Sequence, residues 1–200
     1  MWLSGYRAVF RKNRDSFRIP SKVGFYGISF KMIDIRYETL SDYTVIAEVN
    51  TLAFGQENEA KLVEKIRRSD RYIPELSLVA EIENVVVGHI LFSYIDLVGE
   101  ETLQVIGLAP LAVYPQFQRQ GIGSALIKAG LEIAEAKKEA IVIVLGHPHF
   151  YTRFGFQPSV VYEIESPFPV PEDVFMVKPL QSYQKRYKGK VFYPSTFDGV

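Results

Sequence analysis

The chain has 200 residues, 48% of them hydrophobic and 14% aromatic, which suffices for one core of ordinary size and marks a globular chain, not a disordered one. It has no cysteine, so disulfides and an acyl-cysteine intermediate are both ruled out, and no apolar run is long enough to span a bilayer. The formal charge is zero, but unevenly spread: residues 1–31 carry seven Arg and Lys against Asp15 alone, which leaves residues 32–200 at about −6.

The basic segment 1–31 reads as sequence upstream of the native domain, with an organelle transit peptide or a basic interaction arm as the alternatives. Nucleic-acid binding by so short a stretch is not expected. One domain is expected over residues 32–200, of mixed α/β type and without internal repeats. Its net negative charge suits a cationic substrate, and serves equally as a solubility surface. From Met32, alternation puts Ile33, Ile35 and Tyr37 on one face of a strand. Ser41-Asp42 can cap a helix with Val45, Ile46, Val49, Leu52 and Ala53 as its apolar face and Gly55 as its end. A second helix over 57–68 turns Leu62, Val63 and Ile66 inward. Strands at 76–82 and 85–95 flank Glu83-Asn84, a two-residue hairpin turn. The next strand, 102–113, contains Pro110, which has no N–H for a ladder and so marks a bulge or an edge.

The stretch from Leu111 to Ser124 is the most informative. An apolar strand breaks into a polar loop, and a helix follows to about residue 137 with Ile122, Ala125, Leu126, Ala129 and Ile133 on one face. A helix start bares unpaired N–H groups and partial positive charge. Gly121 and Gly123 keep side chains clear of it and Arg119 adds a full charge, so the loop reads as a pyrophosphate cradle. The plainer alternative is a glycine pair that only eases helix entry. A P-loop is excluded because Gly123 is followed by Ser124-Ala125 rather than Lys-Ser/Thr. A dinucleotide fold would need glycine at Leu126 and an acidic residue after the strand 140–145, which ends in Leu145-Gly146. Beyond that strand come the turn Gly146-His147-Pro148-His149, an aromatic run, a proline-punctuated connection, and a final strand at 174–177. No elements are assigned over 178–200.

Gln118-Arg119-Gln120-Gly121-Ile122-Gly123 resembles the Gln/Arg-x-x-Gly-x-Gly/Ala motif of the GNAT superfamily of acetyl-CoA-dependent N-acetyltransferases. Phe150-Tyr151-Thr152-Arg153-Phe154-Gly155-Phe156 resembles the same family's aromatic-Tyr-x-x-aliphatic-Gly-Phe signature, in the family's order and with one helix and one strand between. The resemblance extends from residue 32 to about 179. It implies the α/β GNAT fold: a mixed central sheet of about six or seven strands flanked by helices, splayed at the strand before the Gln-Arg-Gln-Gly-Ile-Gly loop. It also implies acetyl-CoA as co-substrate. Leu111, Ala112 and Val113 would offer backbone groups to pantetheine as a sheet does to an added strand, and Gln118, Arg119, Gln120, Gly121, Ile122, Gly123 and Ser124 would hold the pyrophosphate.

By the same resemblance Tyr151 is the candidate catalytic acid, since a phenol with an ordinary pKa of about 10 keeps its proton at neutral pH for a thiolate leaving group. The alternative is that it only packs. The family's Asn-x-x-Ala helix before this tyrosine has no counterpart here, where only a short turn fits. The expected reaction is direct transfer of acetyl to a primary amine of a small molecule or protein. The alternatives are a non-catalytic acyl-CoA-binding module and a different acyl donor or acceptor. The general base stays open among Glu57, Glu59, Glu81, Asp96, Glu100, Glu101, His89, His147 and His149. Lys185-Arg186-Tyr187-Lys188-Gly189-Lys190 is a solvated surface stretch or, if near the cleft, a holder of the phosphate on the cofactor's ribose. No metal, membrane or nucleic-acid partner is expected, and a cytoplasmic location is the simplest reading.

Overall fold

The computed structural model describes residues 16–20 and 32–199. Strand β1 (Ser16–Pro20) lies antiparallel on the outer edge of β2 (Met32–Tyr37), with Ser16 opposite Arg36 and Pro20 opposite Met32. The reading of residues 1–31 as upstream sequence otherwise falls outside the described residues. In β2 the expected alternation holds, with Ile33 and Ile35 buried. A single 3-10 turn follows, fastened by the Thr39 N–H and hydroxyl donating to Asp42 Oδ2 at 2.7 and 2.8 Å, and leads into α1 (Tyr43–Phe54). Gly55 ends α1 in the left-handed region, and α2 (Asn58–Arg67) begins three residues on.

The next two strands, β3 (Tyr72–Ile82) and β4 (Val85–Val98), are joined by Glu83 and Asn84, both at positive φ (54° and 64°). That is the mirror-image turn whose twist matches a hairpin. β3 starts four residues earlier than its sequence suggested. Pro74 falls inside a register irregularity between the Tyr72–Ser93 and Ser77–Leu91 pairs, where its missing N–H breaks no regular ladder. Then come β5 (Thr102–Val113), α3 (Ile122–Ala136), β6 (Ile141–Leu145), α4 (Pro148–Tyr151), β7 (Gln157–Pro158), β8 (Ile164–Glu165), β9 (Phe175–Pro179) and β10 (Gly189–Phe192).

The strands form one mixed sheet in the order β1-β2-β3-β4-β5-β6-β9-β7, with β10 beside the last residues of β4 and beside β8. There are ten described strands instead of six or seven because β1, β7, β8 and β10 run for only two to five residues, too few to show a period. Helix α3 covers one face. Its Gly130 lies against the Phe92 ring so closely that a Cβ there would overlap it, and Ile122 and Leu126 meet Gly88. Alternate residues of β4 point the other way, and His89 meets Asn50 of α1 on the opposite face. The unassigned tail belongs to this second face. Val191 of β10 and the aromatics Tyr183, Tyr187, Tyr193 and Phe197 close a core with Ile95, Leu97, Val105, Ile143 and Phe175. Lys65 of α2 fixes the tail's end through the Asp198 carbonyl, at 2.8 Å.

Candidate active site

β5 is joined to β6 at Ile106 and Gly107, opposite Val142 and Ile143, and no further. From Leu108 onward it pairs with β4 alone. Leu108 lies opposite Phe92 and Leu111 opposite Ile90, so Ala109 and Pro110, linked by a cis peptide bond, occupy the space of one β4 residue. A bulge bends the strand that carries it, and β5 thereby leaves β6 with its edge unpaired. The Tyr114 N–H donates to Val87 O at 2.9 Å, which fixes the direction of every second backbone group. Ala112 faces β4, whereas Leu111 and Val113 face the open edge. The expectation that all three residues offer backbone groups is therefore corrected to two. Of these, the Val113 carbonyl already accepts the Gln118 side-chain amide at 3.1 Å, so Gln118 ties the loop to the strand.

The loop takes one 3-10 turn at Pro115–Phe117, then passes through Arg119 (φ 61°) and Gly121 (φ 89°) into α3. The first intrahelical bond runs from Ala125 N–H to Gly121 O at 2.9 Å, so the N–H groups of Ile122, Gly123 and Ser124 lie ahead of the helix ladder. A Cβ on Gly121 would meet nothing within 4 Å, so the space before these N–H groups is clear. Gly123 sits where the strand's edge meets the aromatic run: its Cβ position is 3.5 Å from Phe150 Cζ, 3.8 Å from Leu111 Cδ2 and 3.9 Å from Val113 Cγ2. The Ile122 side chain is buried against the sheet, so what this residue leaves open to the loop is its N–H. Behind the loop, Tyr114 is bonded to Glu48 of α1, and burial together with that carboxylate pushes its pKa up to about 12.

Tyr151 ends α4 and is 8% exposed. Its ring packs edge-on to Phe150 and Phe156, with centroids at 5.1 and 5.5 Å, and lies so close over Gly146 that a Cβ there would strike it. Among the described residues the hydroxyl has no hydrogen-bond partner, and burial alone pushes its pKa up to about 12. Next to it, the Arg153 guanidinium lies 4.9 Å over the Phe150 ring and 5.5 Å over Phe154, its Nε donating to the Phe150 carbonyl at 3.2 Å.

Most candidate bases are already engaged. Glu57 is paired with Lys61, Glu81 with Arg36, Asp96 with Arg71, Glu100 with Lys188 and Glu101 with Arg186, and Glu59 accepts from Gln56. His89 is wholly buried, and that burial holds its pKa down. The Asn50 amide approaches its Nδ1 at 3.3 Å, which leaves the ring proton on Nε2, facing Ser77 and Glu38. His147 and His149 are exposed residues at the entry to α4. The Lys185–Lys190 stretch lies at the β4–β5 hairpin, where its charges meet Glu100 and Glu101. The length of β5, roughly 35 Å, separates it from the loop, so it does not reach the cradle. Sequence reasoning named Phe150 only as part of the aromatic signature and Gly146 only as part of a turn, and it passed over Glu48 altogether.

The open edge, the loop and Tyr151 all lie within residues 34–159, which match the family model for the acetyltransferase (GNAT) domain. The chain belongs to the GNAT family. Among relatives, the uncharacterized N-acetyltransferase YjhQ of Escherichia coli strain K12 is 41% identical over 135 residues, covering 66% of this chain and 75% of that protein. The uncharacterized N-acetyltransferase YhbS of the same strain is 36% identical over 144 residues, 72% of this chain and 84% of YhbS. The crystal structure of E. coli YhbS in complex with CoA superposes with a TM-score of 0.78 at 31% identity, over 87% of this chain and 96% of that one. A Brucella melitensis GNAT acetyltransferase in complex with acetyl-CoA follows at 0.68 and 29% identity, over 83% and 98%. As a GNAT protein this chain is an acyltransferase by family and by fold, and its splayed β5 is the feature that the family resemblance implied.

Proposed function

We propose that this chain transfers an acetyl group from acetyl-CoA directly to a primary amine of a small molecule or a protein. The observation that carries the reading is continuity: the unpaired edge of β5 runs straight into a loop with two left-handed residues and then into the bare N-terminus of α3. A strand-like slot followed by an anion site matches the order of groups in the donor, whose pantetheine amides want strand partners and whose diphosphate wants N–H groups and positive charge. The CoA and acetyl-CoA complexes of the two GNAT structures support the same donor here.

Acetyl-CoA, when bound, supplies an activated thioester. Leu111 and the Val113 N–H offer backbone partners, Arg119 offers charge, and Tyr151 holds the proton. The uncharged amine nitrogen bonds to the thioester carbonyl carbon, the carbon–sulfur bond breaks, the thiolate takes the Tyr151 hydroxyl proton, and the surplus amine proton passes to water, from which the Tyr151 phenolate regains one. No cysteine exists to accept the acetyl group, so transfer is direct.

The test is calorimetric titration of acetyl-CoA and CoA into wild type, Gly121→Asn and Gly121→Asp. Asn and Asp both tolerate a left-handed backbone, so the pair shares its conformational cost and differs in charge. Asp is expected to bind at least about tenfold more weakly than Asn, from a carboxylate set against the diphosphate. Equal affinity in the two variants would overturn the cradle. Thiol release over a panel of primary amines then identifies the acceptor class.

A further inference from the structure

Within residues 32–199 there are seven arginines, and five of them are paired with carboxylates: Arg36 with Asp42 and Glu81, Arg67 with Glu38, Arg68 with Glu64, Arg71 with Asp96, and Arg186 with Glu101. Arg119 and Arg153 have no acidic partner among the described residues. Both stand at the start of α3. Arg119 is part of the loop itself, on the line from β5 to the helix. Arg153 is on the other rim, carried by the turn after α4 and laid across Phe150, whose ring borders Gly123.

Two rings and a backbone carbonyl hold the Arg153 guanidinium in place. The carbonyl bond uses Nε, and on this exposed residue neither terminal nitrogen has a partner among the described residues, so the two remain available as a fork. A fixed, unpaired fork is the geometry that takes two oxygens of one phosphate. Coenzyme A carries, besides its diphosphate, a separate phosphate on the ribose, and one arginine cannot serve both. In the tail's basic stretch, Arg186 and Lys188 are paired with Glu101 and Glu100, and the stretch lies at the far end of β5. We infer that Arg153 binds the ribose phosphate and makes this chain prefer CoA to dephospho-CoA, while Arg119 serves the diphosphate. The inference rests on the acetyl-CoA reading above and goes beyond it, because nothing in a cradle for the diphosphate requires the ribose phosphate to be read.

The experiment titrates CoA and dephospho-CoA into wild type, Arg153→Gln, Arg153→Lys and Arg119→Gln at one fixed salt concentration. Wild type is expected to favour CoA by about five- to tenfold, the span of a solvent-facing charge pair reinforced by two parallel hydrogen bonds. Arg153→Gln should bring CoA down to the affinity of dephospho-CoA and leave dephospho-CoA binding unchanged. Arg153→Lys should keep part of the preference, and Arg119→Gln should weaken both ligands together. An unchanged CoA preference in Arg153→Gln overturns the assignment, as does equal weakening of both ligands, which would mean that Arg153 only supports Phe150 or the diphosphate. Wild type that binds neither ligand would instead remove the acetyl-CoA reading, and this inference with it.

Discussion

For the proton-donor role proposed for Tyr151, what surrounds the hydroxyl matters more than what bonds it. Enclosed by Phe150, Phe156 and the bare face of Gly146, it is pushed up to about 12. A raised phenol keeps its proton as pH rises, so its acid form is complete across the neutral and mildly alkaline range. Tyr151→Phe is expected to lower kcat by about a hundredfold or more while CoA affinity is retained, measured by thiol release and calorimetry. In wild type kcat/KM should rise with amine deprotonation and show no descending limb up to pH 10, where an ordinary tyrosine would be half ionised. A descending limb near pH 10 that vanishes in Tyr151→Phe would show that burial does not raise this group. Gly146→Ala should displace the ring and lower activity without touching the hydroxyl. Tyr151 was legible as a candidate because it sits in a local motif, whereas its close contact with Gly146 was not, since that arises only when α4 folds back over the end of β6. Ala112 is the converse case. Its place in the strand before the loop suggested a backbone contact by the family resemblance, and only the ladder direction set by Tyr114 and Val87 reveals that it faces the wrong edge.

The position of the loop before α3 is decided by how closely α3 lies on the sheet. Gly130 admits the Phe92 ring, and Ile122 and Leu126 close over Gly88, which brings the first turn of α3 to the end of β5. Gly130→Ala would force a methyl into the Phe92 ring and is expected to cost about 1–3 kcal/mol, read as a lower urea midpoint at unchanged slope. Adding Phe92→Leu should return part of that loss, because the smaller side chain frees the space. If the double variant is no more stable than Gly130→Ala alone, overpacking against Phe92 is not the cause. Elements of this length, with one apolar face, were legible from periodicity. So were the Glu83-Asn84 turn and the break at Pro110, because a positive-φ pair and a missing N–H are local facts. What periodicity could not supply was pairing that depends on distant partners. β7 is a strand only because β9 lies alongside it, β10 because β4 does, and β8 because β10 does, and the extension of β3 past Pro74 depends on a register shift against β4.

The helix face opposite α3 is joined to the sheet by a buried polar network that draws on four elements and the segment just past β2. Glu38, just past β2, accepts both Nε and Nη2 of Arg67 from α2, at 2.9 and 2.6 Å, and the Tyr72 hydroxyl of β3 at 2.5 Å. His89 of β4 stands between this carboxylate, Ser77 of β3 and Asn50 of α1. Burial by itself would raise the Glu38 pKa, but the hydrogen bonds from His89, Arg67 and Tyr72 outweigh it and hold the carboxyl well below its usual range. His89 moves down for the opposite reason, since burial disfavours its charged form. Both groups therefore bind fewer protons when folded than when unfolded in the range where the free residues titrate, and stability must fall with falling pH. The loss should begin below about pH 6.5 with His89 and deepen below about pH 4.3 with Glu38, the unfolded values of the two side chains. Urea denaturation from pH 8 to 3.5 measures this directly. His89→Gln keeps one acceptor and one donor but cannot be charged, so it should flatten the curve between pH 7 and 5 and leave the steeper acid loss in place. Curves for wild type and His89→Gln that run parallel down to pH 5 would mean that His89 takes up its proton without opening the network, and that the carboxylates alone set the acid limit of the fold.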